Sequence, residues 1–141
     1  MSQFSRDIQA VERYLRAHRR AYMEPLGLKG IHARLFMMIC SNPGCSQDQL
    51  AKGLGFDKST IGRHVELLES MGYVRRRPAQ NDKRILCVYP TEKLEEQMPD
   101  LEQAIQSWDS DLLAPLTDHE KQLLRQILSK ICRQADREAS K

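Results

Sequence analysis

The chain has 141 residues and a formal net charge of +3, and 40% of its residues are hydrophobic and 29% charged. This balance excludes a disordered chain, and the length suffices for one domain with its own core. No apolar run approaches the roughly 18 residues of a membrane span and the N-terminus has no signal-peptide pattern, so a cytoplasmic protein is expected.

The charge is unevenly distributed along the sequence. Residues 1–45 carry 7 basic and 3 acidic groups, residues 46–90 carry 8 and 5, and residues 91–141 carry 7 and 11. The first two thirds of the chain could therefore face a polyanion, whereas the acidic last third should not.

Two helices are predicted first. Residues 3–22 place apolar side chains at spacings of three and four, and this stripe needs a partner, which either the domain core or a second subunit could supply. Residues 24–27, EPLG, break this helix, and a second, mostly apolar helix follows at about 28–41. Residues 42–44, NPG, then form a turn.

A short helix precedes the stretch around which the chain is organised. Ser46 to Gln49 is an S-x-x-Q capping box that opens a helix to about Leu54, and Gly55 ends it. The stretch at 57–72 follows directly. A short helix, a glycine-containing turn and a polar-faced helix in this order predict a helix-turn-helix.

The helix at 57–72 is predicted to pack against the core with one side and to expose the other side to a ligand. Asp57 can cap its N-terminus, and Gly72 suits the left-handed position after its C-terminus. The side predicted to be buried is an apolar stripe. On the opposite side, near the N-terminus, the side chains are short, polar or basic, as in a recognition helix that enters the DNA major groove. The stripe consists of Ile61, Val65 and Leu68.

Two strands are predicted directly after this helix, at 73–78 and 85–89. The loop between them, 79–84, is polar and basic. Two strands joined by a basic tip after a helix-turn-helix form a wing, whose tip can follow the DNA backbone or enter the minor groove.

The last third is predicted to be helical at 92–114 and from Thr117 to about Arg137. Pro99 should kink or split the first of these helices. The second opens with a T-x-x-E capping box and has a broad apolar face, so this part is interpreted as an association module. The element order becomes α-α-α-α-β-β-α-α.

The sequence shows no catalytic or metal-binding constellation. The four histidines are scattered, no nucleophile signature or glycine-rich phosphate loop occurs, and the cysteines form no CxxC pair. The chain is therefore predicted to be neither an enzyme nor a cofactor or metal protein. Free thiols are expected, with Cys45 the best candidate for a reactive one. The cysteines are Cys40, Cys45, Cys87 and Cys132.

Three motifs across the wing carry a family resemblance. They are Gly72-Tyr73-Val74, then Asn81-Asp82-Lys83-Arg84, then Tyr89-Pro90-Thr91. In this spacing and element order the chain resembles the MarR family of bacterial winged-helix transcription regulators, over nearly its full length. Proline at position 90 departs from the family's usual leucine.

The resemblance implies a mainly α fold with a small β-wing (α+β) in a single MarR-like domain spanning residues 1–141. Residues 28–90 would form the winged helix-turn-helix DNA-binding lobe, and residues 1–24 and 91–141 the dimerisation helices. It also implies a homodimer on a pseudopalindromic operator, with the recognition helices in successive major grooves and the wings at the flanking minor grooves.

The resemblance also assigns roles to individual residues. Arg84 corresponds to the wing arginine that reaches the minor groove, and Asp82 to the carboxylate that supports the wing. Ser59, Thr60, Gly62 and Arg63 match recognition-helix positions, but glycine at 62 offers no side chain, which leaves a gap in the readout. The family often binds small aromatic or phenolic anions. Tyr14, His18, Tyr22, His32 and Met37 could line such a cleft, or could belong to the core or the dimer interface.

Helical phase and strand alternation refine the expected DNA contacts. Arg63 projects away from the apolar stripe, whereas His64 leans toward its flank and could be packed, contact phosphate or read a base. Strand side chains alternate, so either Arg75 and Arg77 or Arg76 should face DNA. The predicted contacts are Gln47, Lys58, Ser59, Thr60, Arg63, His64, Arg77, Lys83 and Arg84.

The leading hypothesis is a sequence-specific double-stranded DNA-binding regulator, a homodimeric repressor released by a small-molecule effector. One alternative is a thiol-based redox regulator acting through Cys45 or Cys132. Another is a winged-helix protein-interaction module without DNA binding. The operator sequence, the effector and the regulated genes do not follow from the sequence.

Overall fold

The computed structural model describes residues 1–141 and is mainly helical with one small sheet, as predicted. Its helices are separated by short turns, including one 3-10 turn at Glu24–Leu26. The helices are α1 (Gln3–Met23), α2 (Gly30–Ser41), α3 (Gln47–Leu54), α4 (Lys58–Ser70), α5 (Glu92–Leu113) and α6 (Asp118–Ala139). The strands are β1 (Cys45–Ser46), β2 (Val74–Pro78) and β3 (Leu86–Pro90).

The chain divides into two compact units, Met1–Ala104 and Ile105–Lys141. The first unit contains α1 to α4, the sheet and the first part of α5. Side chains from all five of these helices and from the sheet form its core. Phe36, Ile39, Ile61, Leu68 and Leu94 are among those with no solvent exposure. These residues hold α4 by its apolar stripe and leave its polar side outward.

Local capping explains where the helices of the helix-turn-helix begin. Ser46 Oγ accepts the Gln49 N–H at 3.1 Å, while the Ser46 N–H donates to Gln49 Oε1 at 2.8 Å. This reciprocal pair satisfies the backbone N–H groups of Ser46 and Gln49, and it stabilises the start of α3. Gly55 ends α3 at a φ of 74°, a left-handed conformation that favours glycine because it lacks Cβ.

The sheet contains one strand more than the sequence predicts. β3 is central and pairs antiparallel with both β1 and β2, with Ser46 opposite Cys87 and Arg76 opposite Val88. The predicted order of six helices and two strands therefore lacks one element, the strand β1. β1 is only two residues long, so it offers no alternating pattern by which a sequence could reveal it.

α5 continues through Pro99 as one helix, so the split considered from the sequence does not occur. Proline lacks the N–H that would donate to the preceding turn. Leu94, Met98 and Leu101 on both sides of Pro99 are buried, and their packing holds the helix together across the missing hydrogen bond. None of the helices has the length and apolar character needed to cross a membrane.

Helices α1 and α6 expose large apolar side chains to solvent. On α1, Phe4 is 56% exposed and Val11 47%. On α6, which has no buried residue, Ile127 is 54% exposed. The full set of exposed apolar residues on these helices is Phe4, Ile8, Val11, Leu123, Ile127, Leu128 and Ile131.

Candidate nucleic-acid interface

Asp57 fixes the N-terminus of α4. Its Oδ1 accepts the Thr60 N–H at 2.7 Å and the Ser59 hydroxyl at 2.9 Å. The hydrogen bond from the Thr60 backbone is the main reason that the pKa of the Asp57 carboxyl is lowered, with further bonds from the Thr60 and Ser59 side chains. The first turn is thus ordered before any ligand arrives, with Ser59 exposed and Thr60 half-buried.

The outward side of α4 presents Arg63 as an exposed cation. Lys58 at the start of the helix is also exposed, but its Nζ lies 3.2 Å from Asp48 Oδ2 of α3. At Gly62 an added Cβ would lie 3.7 Å from Gln47 Nε2, an ordinary contact. Packing therefore does not require glycine there, and the position offers DNA only backbone.

The arginines of β2 divide by strand alternation. Arg76 is turned toward the helices, where its guanidinium donates to Glu69 Oε1 of α4 at 2.9 Å and to Gln47 Oε1 of α3 at 3.3 Å. Glu69 Oε2 also accepts the Arg76 backbone N–H at 3.0 Å. Arg75 and Arg77 are left exposed on the other side of the strand. Of the two alternatives left open by the sequence, the Arg75 and Arg77 side is the one free to meet a ligand.

Glu69 connects the wing to α4, a role that the sequence did not predict. Its bonds to Arg76 anchor the wing strand to the last turn of the recognition helix, and they lower the pKa of the Glu69 carboxyl. A carboxylate seven residues before an arginine is a weak signal, because nothing in the sequence fixes the angle between α4 and β2.

Replacing Glu69 with Gln is expected to loosen the wing. The variant loses the charge-assisted bonds to Arg76, so the free energy of unfolding should fall by about 1 kcal/mol, since the pair is partly exposed. Urea denaturation of the wild type and of E69Q measures this difference. Glu66→Gln is the matched control, because Glu66 is exposed on the same helix. Equal stabilities of E69Q and E66Q would contradict the anchoring role.

The wing tip is shaped by Asp82. Its Oδ1 accepts the Arg84 backbone N–H at 3.0 Å and the Arg84 Nε at 3.0 Å, and its Oδ2 accepts the Arg84 Nη2 at 3.1 Å. The first of these bonds makes an Asx turn, which fixes the loop. The Arg84 side chain is 91% exposed and Lys83 beside it is also exposed, so two cations are displayed at the tip.

The residues expected to line an effector cleft are not all together. Tyr14 and His18 stack one turn apart on α1, with ring centroids 4.1 Å apart. The Tyr22 hydroxyl accepts from Gln97 Nε2 of α5 at 2.7 Å, and burial raises the pKa of Tyr22. His32 has no exposed surface and lies beneath α4, whereas Met37 is exposed on α2.

His64 of α4 is half-buried against His32 rather than directed wholly outward. Its Nδ1 lies 3.0 Å from His32 Nε2, and the two rings meet edge to face. Of the residues predicted to contact DNA, His64 is the one that also contacts a core side chain.

The thiols give no support to redox chemistry. Cys40, Cys45 and Cys87 are half-buried and Cys132 is exposed, and none is in a disulfide. Burial is the main reason that the pKa values of the Cys40 and Cys45 thiols are raised. A raised pKa reduces the thiolate fraction at neutral pH, and the thiolate is the species that oxidants attack.

Taken together, these elements form a winged helix-turn-helix. A helix with an ordered N-terminus and an exposed Arg63 stands beside a wing with cations at its tip, and Arg76 and Glu69 connect the two. This is the class of protein that the fold and the candidate site define.

Comparison with known proteins agrees with this class. The model of the MarR family matches residues 26–85. The chain is 33% identical over 100 residues to a protein of Thauera aromatica named for transcriptional regulation of the hcr operon, and the match covers 71% of this chain and 60% of that protein. It is 25% identical to the HTH-type transcriptional regulator YybA of Bacillus subtilis, over 98% of this chain and 92% of the relative.

Solved structures extend the likeness to the whole fold. A MarR transcriptional regulator from Methanosarcina mazei Go1 superposes with a TM-score of 0.89 at 24% identity, covering 95% of this chain and 96% of that one. A MarR family protein from Listeria monocytogenes, solved in complex with a 26mer DNA, gives a TM-score of 0.87 at 25% identity, covering 95% and 89%. The chain is thus similar to MarR family transcriptional regulators in the sequence of its helix-turn-helix segment, and it has their fold.

Proposed function

We propose that this chain is a sequence-specific double-stranded DNA-binding regulator that acts as a homodimeric repressor in the cytoplasm and is released by a small effector. The observation that carries the proposal is the joint display of Arg63 on α4 and of Arg84 on a wing held to the same helix by Arg76 and Glu69. The similar Listeria protein was solved in complex with a 26mer DNA, which supports DNA as the partner.

The predicted roles follow from the two positions. Ser59, Thr60 and Arg63 would enter the major groove, where a bidentate arginine–guanine contact contributes about 1–3 kcal/mol of discrimination. Arg77, Lys83 and Arg84 would meet the backbone or the minor groove, whose narrow A·T stretches attract arginine. Gln47 and Lys58 are already bonded to Arg76 and Asp48, so any contact they make with phosphate would be secondary.

The apolar residues left open on α1 and α6 support association with a second copy. Exposed apolar side chains at helical spacing mark an interaction surface. Residues 91–141 carry 7 basic and 11 acidic groups, which disfavours DNA as the partner of this segment taken as a whole. We therefore propose residues 1–24 and 91–141 as the dimerisation helices. A homodimer would place two recognition helices on a pseudopalindromic operator.

A small aromatic or phenolic anion remains the proposed effector. Tyr14, His18 and Tyr22 lie on successive turns of α1 and could contact it, while the burial of His32 leaves it no part in an open cleft. The effector would act by binding more tightly to a dimer whose recognition helices are wrongly spaced for DNA.

A salt titration tests the proposal most directly. Genomic fragments retained by the protein supply the operator, and its affinity should fall steeply with salt because phosphate contacts release counterions. Affinity that ignores salt, or that is the same for a scrambled duplex, would remove the proposal.

Replacing Lys83 with Ala should weaken binding to all sequences alike. The loss of one phosphate contact is expected to reduce the slope of log K against log salt by about 1. Fluorescence anisotropy at several salt concentrations measures the slope. Lys130→Ala on α6 removes the same charge from the other unit and should leave the slope unchanged. An unaltered slope in K83A would show that the wing tip does not touch the backbone.

A further inference from the structure

His32 is the one polar side chain in the core, and both of its ring nitrogens are hydrogen-bonded. The Lys29 backbone N–H donates to His32 Nδ1 at 2.9 Å, and His32 Nε2 lies 3.0 Å from His64 Nδ1. A backbone N–H can only donate, so His32 Nδ1 must be the acceptor. A neutral imidazole carries one hydrogen, which therefore sits on His32 Nε2.

The same reasoning passes to His64. Since His32 Nε2–H donates, His64 Nδ1 must accept, and the hydrogen of His64 sits on its Nε2. This Nε2 makes no hydrogen bond within the chain, and the structure leaves no buried side-chain nitrogen without a partner, so it is accessible to solvent. An isolated histidine could present either a donor or an acceptor at Nε2. In this structure His64 presents only a donor there, on the surface of α4.

The surroundings of the pair favour its neutral form. Burial and the neighbouring His64 and Lys29 lower the pKa of His32, and burial, Lys29 and Arg63 lower that of His64. The charged groups that face the rings, Lys29 from the start of α2 and Arg63 from α4, are both cationic. Protonation of His64 at Nδ1 would also set two N–H groups against each other across 3.0 Å.

We propose that His32 is a positioning residue that fixes His64 in the Nε2–H tautomer, so that His64 meets DNA only as a hydrogen-bond donor. This rests on the proposed function and adds a specificity rule to it. The group that His64 can bind must be an acceptor: a phosphate oxygen, or the N7 or O6 of guanine, the N7 of adenine or the O4 of thymine at the major-groove edge.

Nitrogen NMR of the free protein tests the tautomer without DNA. Long-range proton–nitrogen correlations distinguish protonated from bare ring nitrogens, and we expect Nε2–H for both His32 and His64. In His32→Asn the shorter amide can still accept the Lys29 N–H but cannot reach His64, so His64 should become a mixture of tautomers. Nδ1–H on wild-type His64 would overturn the proposal, and so would an H32N spectrum in which His64 is unchanged.

DNA affinity tests whether the Nε2–H group of His64 donates to DNA. His64→Ala should bind the selected duplex about tenfold more weakly, because a hydrogen bond to a charged or base acceptor is lost. His64→Gln places an amide N–H near the lost Nε2 and should recover most of the affinity, whereas His64→Asn reaches only the Nδ1 position and should not. Equal affinities of H64A, H64Q and H64N would overturn the proposal.

The sequence dependence of the loss identifies the acceptor. A loss in H64A that is equal on the selected and scrambled duplexes assigns the acceptor to phosphate, and a loss confined to the selected duplex assigns it to a base edge. Absence of DNA binding by the wild type would overturn the proposed function and the contact of His64 with DNA, while the NMR result would still decide whether His32 sets the tautomer.

The pH profile separates positioning from mere structural support. Wild-type affinity should gain little from His64 as the pH falls, because the pKa of His64 is lowered and its protonated Nδ1 would oppose the His32 N–H. In H32N the opposing N–H group across the 3.0 Å contact is gone, while burial, Lys29 and Arg63 remain, so His64 should be protonated at a higher pH than in the wild type. Its positive charge should then tighten DNA binding as the pH falls from about 7.5 to 5.5 more than it does in the wild type. Parallel pH profiles for wild type and H32N would contradict the role of His32.

Discussion

Lowering the pH from 6.5 to about 4 is expected to reduce the free energy of unfolding through His32, with a further contribution from His64, whose pKa is also lowered. The pKa of His32 is lowered from 6.5 to about 4, mainly by burial. In this window the unfolded chain binds the proton and the folded chain does not, so stability falls as the pH falls. The difference corresponds to about 3 kcal/mol, lost in full once the pH is below the folded pKa.

Urea denaturation across this window, at a fixed protein concentration, measures the loss. The matched variant is His32→Asn, which lacks the titrating ring, and the comparison is between the two slopes against pH, so any general destabilisation of H32N does not matter. The carboxyls with lowered pKa values, Asp57, Glu69 and Asp82, contribute mainly at lower pH, where they become protonated. Equal slopes in both proteins would refute the assignment to His32.

Replacing Ile127 with Lys is expected to convert the proposed dimer into a monomer. Ile127 is 54% exposed in the single chain, and burying a lysine ammonium in an apolar interface without a partner is costly. Each half of the operator would then be bound separately, and the affinity for the whole operator should fall by a factor on the order of 100.

Sedimentation equilibrium and anisotropy with operator DNA check both parts of this prediction. Ser129→Lys is the control, because Ser129 lies on the opposite side of α6 from the apolar face and the added charge is the same. A monomeric wild type, or an I127K variant that is still a dimer, would show that α6 is not the interface.

The sequence predicted the helices well because their signals are local. The capping boxes at Ser46 and Thr117 and the stripe of Ile61, Val65 and Leu68 each depend on residues within one or two turns. The same locality explains why the helix-turn-helix and the wing could be recognised from their order and spacing, and why the family could be inferred before the fold was seen.

The remaining features depend on residues far apart in sequence. His32 and His64 are 32 residues apart, and no periodicity connects them. The bond of Arg76 to Gln47 spans 29 residues and requires the angle between α3 and the wing to be known. Strand alternation places Arg75 and Arg77 on one face of β2 and Arg76 on the other. It cannot decide which of the two faces meets the helices, because that depends on the packing of the sheet.

The two-residue strand β1 has a consequence for how the protein folds. Its pairing of Cys45 with Val88 closes a loop of the chain that contains α3, α4 and β2. Closing a loop costs conformational entropy that grows with the length of flexible chain, and helices formed inside it shorten that length. Local helices form faster than long-range strand pairs. Helix α4 should therefore form first, and the pairing of β1 with β3 should complete the sheet as one of the last steps.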